Sequence, residues 1–463
     1  METKIEQKQS LEDIFVRDFH LNREVLSKND TPEVKNKRLE AIEAFEKQGI
    51  PSTKNELYRF SNIRKLIETG GRFVHQFNPP DIRRPVEEIF RCKVTELDTY
   101  DIVILNGWYP RTMPLFQTIP TGGIVGSLSE AMDLYPDLID QHYGQYADIH
   151  ADAFTAMNTA FAADGIFAWF PEGSIMEKSL QLVNIVTTAE SLLFPPLVQP
   201  RNLYIVEKNA SVKIVICDHT LTNDKSLTNT VTEVYAGENS HVEIYRIQNQ
   251  HNNAARISNF NVYQKANSTV NINTITLHGG FIRNNLNVVL AEENCTINLY
   301  GLYLVDRTQH VDNFTFIDHQ KPHSTSNELY KGVLDEQGKG VFRGKVMVRK
   351  DAQKTNAYQK NNNMLLTDEA TMNTMPQLEI YADDVKCSHG ATVGYLDQEQ
   401  MFYILSRGIN PKDARLLLLQ AFASEIINKI ELQPIRDRIS NLVYKRLRGE
   451  LSPCASCVLK CNE

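Results

Sequence analysis

The sequence predicts a mainly β protein, a solenoid of stacked strands with a helical region at each end. Three observations carry this. A turn followed by alternating apolar residues recurs with its first apolar position at Val212, Val242, Val270 and Ile297, steps of 30, 28 and 27 residues. A steady step with period-two alternation describes turns that cannot close a core alone and bury a Val and Ile ladder by stacking. The stretch around this repeat is rich in Val, Ile, Thr, Tyr and Asn, whereas Leu11 to about Leu66 and everything after Gly394 carry apolar residues at helical spacing. Four regions follow: 1–164 helical and mixed, 165–395 solenoid, 396–451 helical, and 452–463 a cysteine-containing tail.

In chain order, Thr31 and Pro32 form a helix start, with Thr31 as N-cap and Pro32 in the first turn. The helix they open places Leu39, Ile42 and Phe45 on one stripe. Asp101 to Asn106 is a strand candidate, and Asp148 to Ala163 an alanine-rich helix ending before Gly165. From Tyr303 to Met347 the rhythm breaks, and the histidines His310, His319 and His323 fall there without the spacing of a known catalytic or metal motif. Gly340 to Gly344 followed by Lys345 fails as a phosphate loop, because three residues separate the glycines and Val346 stands where Ser or Thr is needed. Nucleotide hydrolysis is therefore expected of a partner and not of this chain. Asp397 caps a helix stopping at Gly408, and Asn410 with Pro411 opens a second that carries Leu416 to Leu419. Four consecutive apolar residues need cover on more than one side, from the same chain or from another protein.

The chain has 463 residues, 49 Lys plus Arg against 57 Asp plus Glu and a net charge of -8, which argues against a general nucleic-acid binder. No apolar run is long enough for a membrane span and the start is charged, so a cytoplasmic location is expected. Seven cysteines in a chain this long suggest free thiols rather than a disulfide framework. Cys454, Cys457 and Cys461 in the tail have the density of a metal or cluster ligand set but offer three thiols where structural zinc takes four ligands.

Where strands give way to helices, Cys387 and His389 stand two apart, so an extended backbone points both to one face. Thiolate and imidazole suit iron, zinc or copper, and Gly390 lets a partner approach. A packed cysteine and a turn histidine closing the sheet satisfy the same pattern.

The run from Cys387 to Gly394, with Asp397, Phe402-Tyr403, Ser406 to Ile409 and Phe422 to Glu425, closely resembles the SufD subunits of the SUF iron–sulfur cluster assembly scaffold. Glu56 and Tyr58 to Phe60 also resemble the N-terminal region of such subunits, and His310, Asp312 and His319 match positions with no assigned role. The resemblance implies a right-handed parallel β-helix, a non-catalytic scaffold, and pairing with a SufB-like paralogue and a SufC-like ATPase. A transient iron–sulfur cluster would form at the interface between the paralogues, with His389 and then Cys387 as its ligands. ATP would enter only through the ATPase, docked on the last helices through Phe402, Tyr403, Arg407, Leu417, Phe422 and Glu425. SufB carries Glu after the matching histidine, whereas Gly390 stands here, which implies the SufD branch and a carboxylate from the partner. In isolation such a chain could pair with a second copy. From other classes, a β-helix polysaccharide enzyme would use Asp383, Asp384, Lys386 and His389, and a purely structural adaptor would use none of them.

Overall fold

The computed structural model describes residues 10–70, 73–80, 97–188 and 194–451. The tail cysteines Cys454, Cys457 and Cys461 lie outside the described residues. About seven turns of a parallel β-helix make the core, each giving one strand to each of two sheets. One sheet runs from Arg201–Val206 through Ser226–Ala236 and every second strand to Thr371–Ile380, and the other from Ser211–Thr220 to Lys386–Gly394.

The register coincides with the repeat in the sequence. Val212 pairs with Val242, Val242 with Val270, and Val270 with Ile297, and all four are fully buried in the lumen. The row continues through Ser326 and Ala357 to Cys387. The break expected between Tyr303 and Met347 is therefore a change of side-chain chemistry, because His310–His319, Thr325–Leu334 and Lys339–Val348 continue the coil in register.

Each turn needs one residue in the left-handed backbone region, and the repeat supplies Asn209, Asn239, Asn267 and Asn294 with φ of 58°, 58°, 58° and 59°. Asparagine tolerates this conformation and has an amide that bonds the next rung. Asn239 donates to Asn209 at 3.1 Å, and Asn294 to Asn267 at 3.2 Å. A second row joins Asn271, Asn298 and Asn327 at 2.7 and 2.9 Å. Side chains in equivalent positions thus clamp successive turns together.

Helices cover the outer faces. Leu11–Leu26, Pro32–Gln48, Ile63–Gly70 and Ala153–Phe161 pack on one sheet through Phe15, Phe19, Phe45 and Phe154, against Leu227, Ile257 and Phe281. Thr31 accepts from the Val34 amide as the expected cap, but Leu39 is 40% exposed and the buried stripe runs instead through Val34, Ala41, Ile42 and Phe45. The helix covering the start of the solenoid is Ala153–Phe161, capped by Asp152, and all nine of its residues are buried. On the other sheet, Pro411–Ile427 and Gln433–Leu447 lay Leu419, Ile426, Ile435 and Ile439 over Tyr245, Ile247, Ile275 and Leu302. Strand pairing crosses the expected boundary at residues 164 and 165. Thr99–Leu105, close to the strand expected at 101–106, already pairs in parallel with Ser179–Val186.

Candidate functional site

The last coil leaves two sheet edges without a neighbour among the described residues, Thr371–Ile380 in one sheet and Lys386–Gly394 in the other. An exposed edge is a row of unpaired amides and carbonyls, a template for another chain. Ile380, Tyr381, Val393 and Tyr395 stand exposed around it. Apolar side chains gathered at a bare strand end mark an interaction surface.

Cys387 and His389 sit on this terminal strand. Register places Cys387 above Ala357 and His389 above Gln359, in rows that lower in the solenoid are filled by buried Val212 and Ile214. Both therefore belong to the inward-facing set of the sheet, as the two-residue spacing required. Cys387 is half-buried against the apolar lumen, and burial pushes its thiol up from the ordinary value. A thiol held protonated in this way is a weak ligand until something displaces its proton. His389 is exposed, and a Cβ added to Gly390 beside it would meet nothing within 4 Å.

The lumen turns polar toward this end. Below His389 in its row come Gln359 and Glu328, where earlier turns hold Leu299 and Ile272. The Gln359 amide nitrogen donates to one Glu328 oxygen at 2.6 Å, and the other carboxyl oxygen is buried without a partner. Burial raises Glu328 to about 7. The sequence reading missed this pair, although Glu328, Gln359 and His389 recur at the solenoid step. The neutral acid of Glu328 contributes stability that is complete below its ordinary value of 4.5 and is lost as pH rises through about 7. Glu328→Gln should therefore gain up to about 3 kcal/mol relative to the wild type at pH 9 and little at pH 5, read by denaturant unfolding at both.

The other histidines do not converge. His310 Nε2 lies 2.9 Å from Ser61 Oγ, and Ser61 also donates to Asp312, which pairs with Arg283. With its proton given to Asp312, Ser61 can only accept from His310, so this Ser, His and Asp set lacks the base-to-nucleophile order of a hydrolase. It joins the helical region to the solenoid. Tyr58 extends that joint, with its hydroxyl on Asp152 and its ring 4.0 Å from the Arg283 guanidinium, and Glu56 meets Arg343 at 3.3 Å. His319 is buried against Ser326, which lowers it to about 4, and His323 occupies a left-handed corner with φ 63°. Lys345 lies in a strand and pairs with Glu379 at 2.9 Å, not in a loop open to phosphate. Of the carboxylates of the enzyme alternative, Asp384 pairs with Lys354.

Among the described residues one group of His and carboxylate side chains approaches metal-ligand geometry, His241, Glu243 and Glu431. It lies five strands from the terminal one, on the order of 24 Å away, and Lys213 and Tyr245 already serve Glu243.

Of the docking residues expected on the last helices, Phe402, Tyr403, Arg407 and Leu417 are exposed. Gln398–Ser406, capped by Asp397, buries none of its residues. Phe422 and Glu425 instead face Lys331, whose ammonium lies 4.3 Å from the Phe422 ring and pairs with Glu425.

Comparison with known families matches residues 185–422 to "SUF system FeS cluster assembly, SufBD core domain" and residues 9–182 to "SufBD protein N-terminal region". This chain belongs to the SufBD family. It is 29% identical over 430 residues to the iron-sulfur cluster assembly SufBD family protein slr0076 of Synechocystis, covering 91% of this chain and 90% of that one. To iron-sulfur cluster assembly protein SufD of Escherichia coli it is 26% identical, over 87% and 90% of the two chains. To protein ABCI7, chloroplastic, of Arabidopsis thaliana it is 30% identical, over 85% and 82%. The SufBD core match ends at Phe422, so it takes in the bare strand edge, Phe402 and Leu417. Among the described residues no helix of this SufBD protein is long and apolar enough to cross a membrane.

Proposed function

We propose that this chain is the SufD-like subunit of an iron–sulfur cluster scaffold. Its terminal strands add to a SufB-like paralogue, and His389 serves there as an iron ligand for the nascent cluster, which is the cargo of the assembly. The observation that carries this reading is an exposed imidazole on an unpaired terminal strand, with exposed apolar side chains at the ends of the two terminal strands. Cys387, half-buried and protonated, is the weaker ligand. The unburied helix Gln398–Ser406 together with Leu417 docks a SufC-like ATPase, which supplies the nucleotide chemistry for which this chain has no loop.

The test is coexpression with a SufB-like and a SufC-like protein, anaerobic purification, and iron and sulfide analysis. The expected result is a stable three-component complex that holds both elements. Recovery of this chain alone, with the other two forming a cluster-bearing complex without it, would remove the proposal.

A further inference from the structure

Gln359 is oriented by bonds on one side only. Its amide nitrogen is fixed on Glu328, and its amide oxygen is buried with no hydrogen-bond partner. A buried carbonyl without a donor is destabilising, so a donor brought within its reach would be favoured. The next residue in its inward row is His389. Several amides of this solenoid bond from one rung to the next, as Asn239 does on Asn209 and Asn327 on Asn298, although others, such as Gln264 and Asn285, also keep a buried oxygen without a partner. Gln359 bonding down to Glu328 follows the rung-to-rung pattern, which leaves its oxygen for the rung above. Opposite, a Cβ on Gly344 would lie 2.2 Å from the Gln359 amide nitrogen, so only glycine leaves room for the amide where it stands. The glycine that imitated a phosphate loop in the sequence thus makes space for this side chain.

We infer that Gln359, anchored on Glu328 and given room by Gly344, is the positioning residue for His389. Its amide oxygen accepts one imidazole N–H, fixes the ring tautomer, and leaves the other nitrogen free to bind metal. Ligating histidines commonly hold their second nitrogen on a carbonyl or carboxylate, and loss of that partner typically weakens metal affinity or activity 10–100-fold. This inference rests on the ligand role proposed for His389.

The test uses the full chain labelled with ¹⁵N-histidine, with the His389 signals assigned by their loss in His389→Ala. Long-range ¹⁵N–¹H correlation should show one tautomer in the wild type and a mixture in Gln359→Met, which keeps the volume and removes the amide. Gly344→Ala, which displaces the amide without touching Gln359 itself, should give the same mixture, with unfolding curves as the control for fold. In the assembled complex, iron retention by Gln359→Met should fall tenfold or more. Unchanged His389 nitrogen shifts in both variants would overturn the inference, whatever His389→Ala does to iron. A tautomer change with iron retained in both Gln359→Met and His389→Ala would instead overturn the ligand role, and with it the consequence drawn for metal.

Discussion

Replacing His389 by alanine abolishes iron and sulfide retention in the assembled complex and leaves the unfolding free energy of the isolated chain within about 0.5 kcal/mol. The two halves of this expectation have separate causes. The side chain is exposed at the open end of the lumen, so its removal makes no cavity. At the paired interface the same imidazole is proposed as an iron ligand, and Gly390 beside it offers no side chain to take over. Cys387→Ser serves as the comparison, with a smaller loss, because its thiol must first give up a proton that burial holds on it. Normal iron and sulfide in the His389→Ala complex would end the site assignment.

The second large effect concerns the helices. A double variant, Phe402→Asp with Leu417→Asp, should lower ATPase recovered by copurification from a stoichiometric share to less than about a tenth. Phe402 is 74% exposed and Leu417 46%, so in this chain they pack against little that a charge would disturb. Apolar anchors of this kind carry about 2 kcal/mol or more each at an interface, enough for a loss beyond tenfold. Cutting the chain after Gln398 is the less informative experiment. It would strip Leu419, Ile426, Ile435 and Ile439 from the outer sheet face and expose Tyr245, Ile247 and Leu302. Lost binding would then be indistinguishable from damage to the solenoid. Undiminished ATPase recovery by the double variant, with its fold intact, would place the docking surface elsewhere.

The solenoid was legible where its rows are aliphatic and lost where they are not. Val212, Val242, Val270 and Ile297 announce their common row, but the same row goes on as Ser326, Ala357 and Cys387, which share no chemistry. Periodicity of hydrophobicity cannot follow a lumen that becomes polar. Cys387 and His389 were legible because their two-residue spacing fixes a common face in any strand. Gln359 and Glu328 were not, since their relation to His389 spans whole coils. Leu39 shows a second limit, because helical spacing gives a stripe but not which edge of it meets the sheet. Likewise, Phe422 and Glu425 were expected at a docking surface, and in the fold they meet Lys331, a residue 91 positions from Phe422.

The two terminal strands also make this chain sensitive to dosage. Among the described residues no other segment covers this adhesive β template, so a copy made in excess of the paralogue proposed here would carry it bare. A bare template of this kind favours self-association and proteolytic clearance, so under the proposed pairing matched amounts of the two subunits would keep it covered.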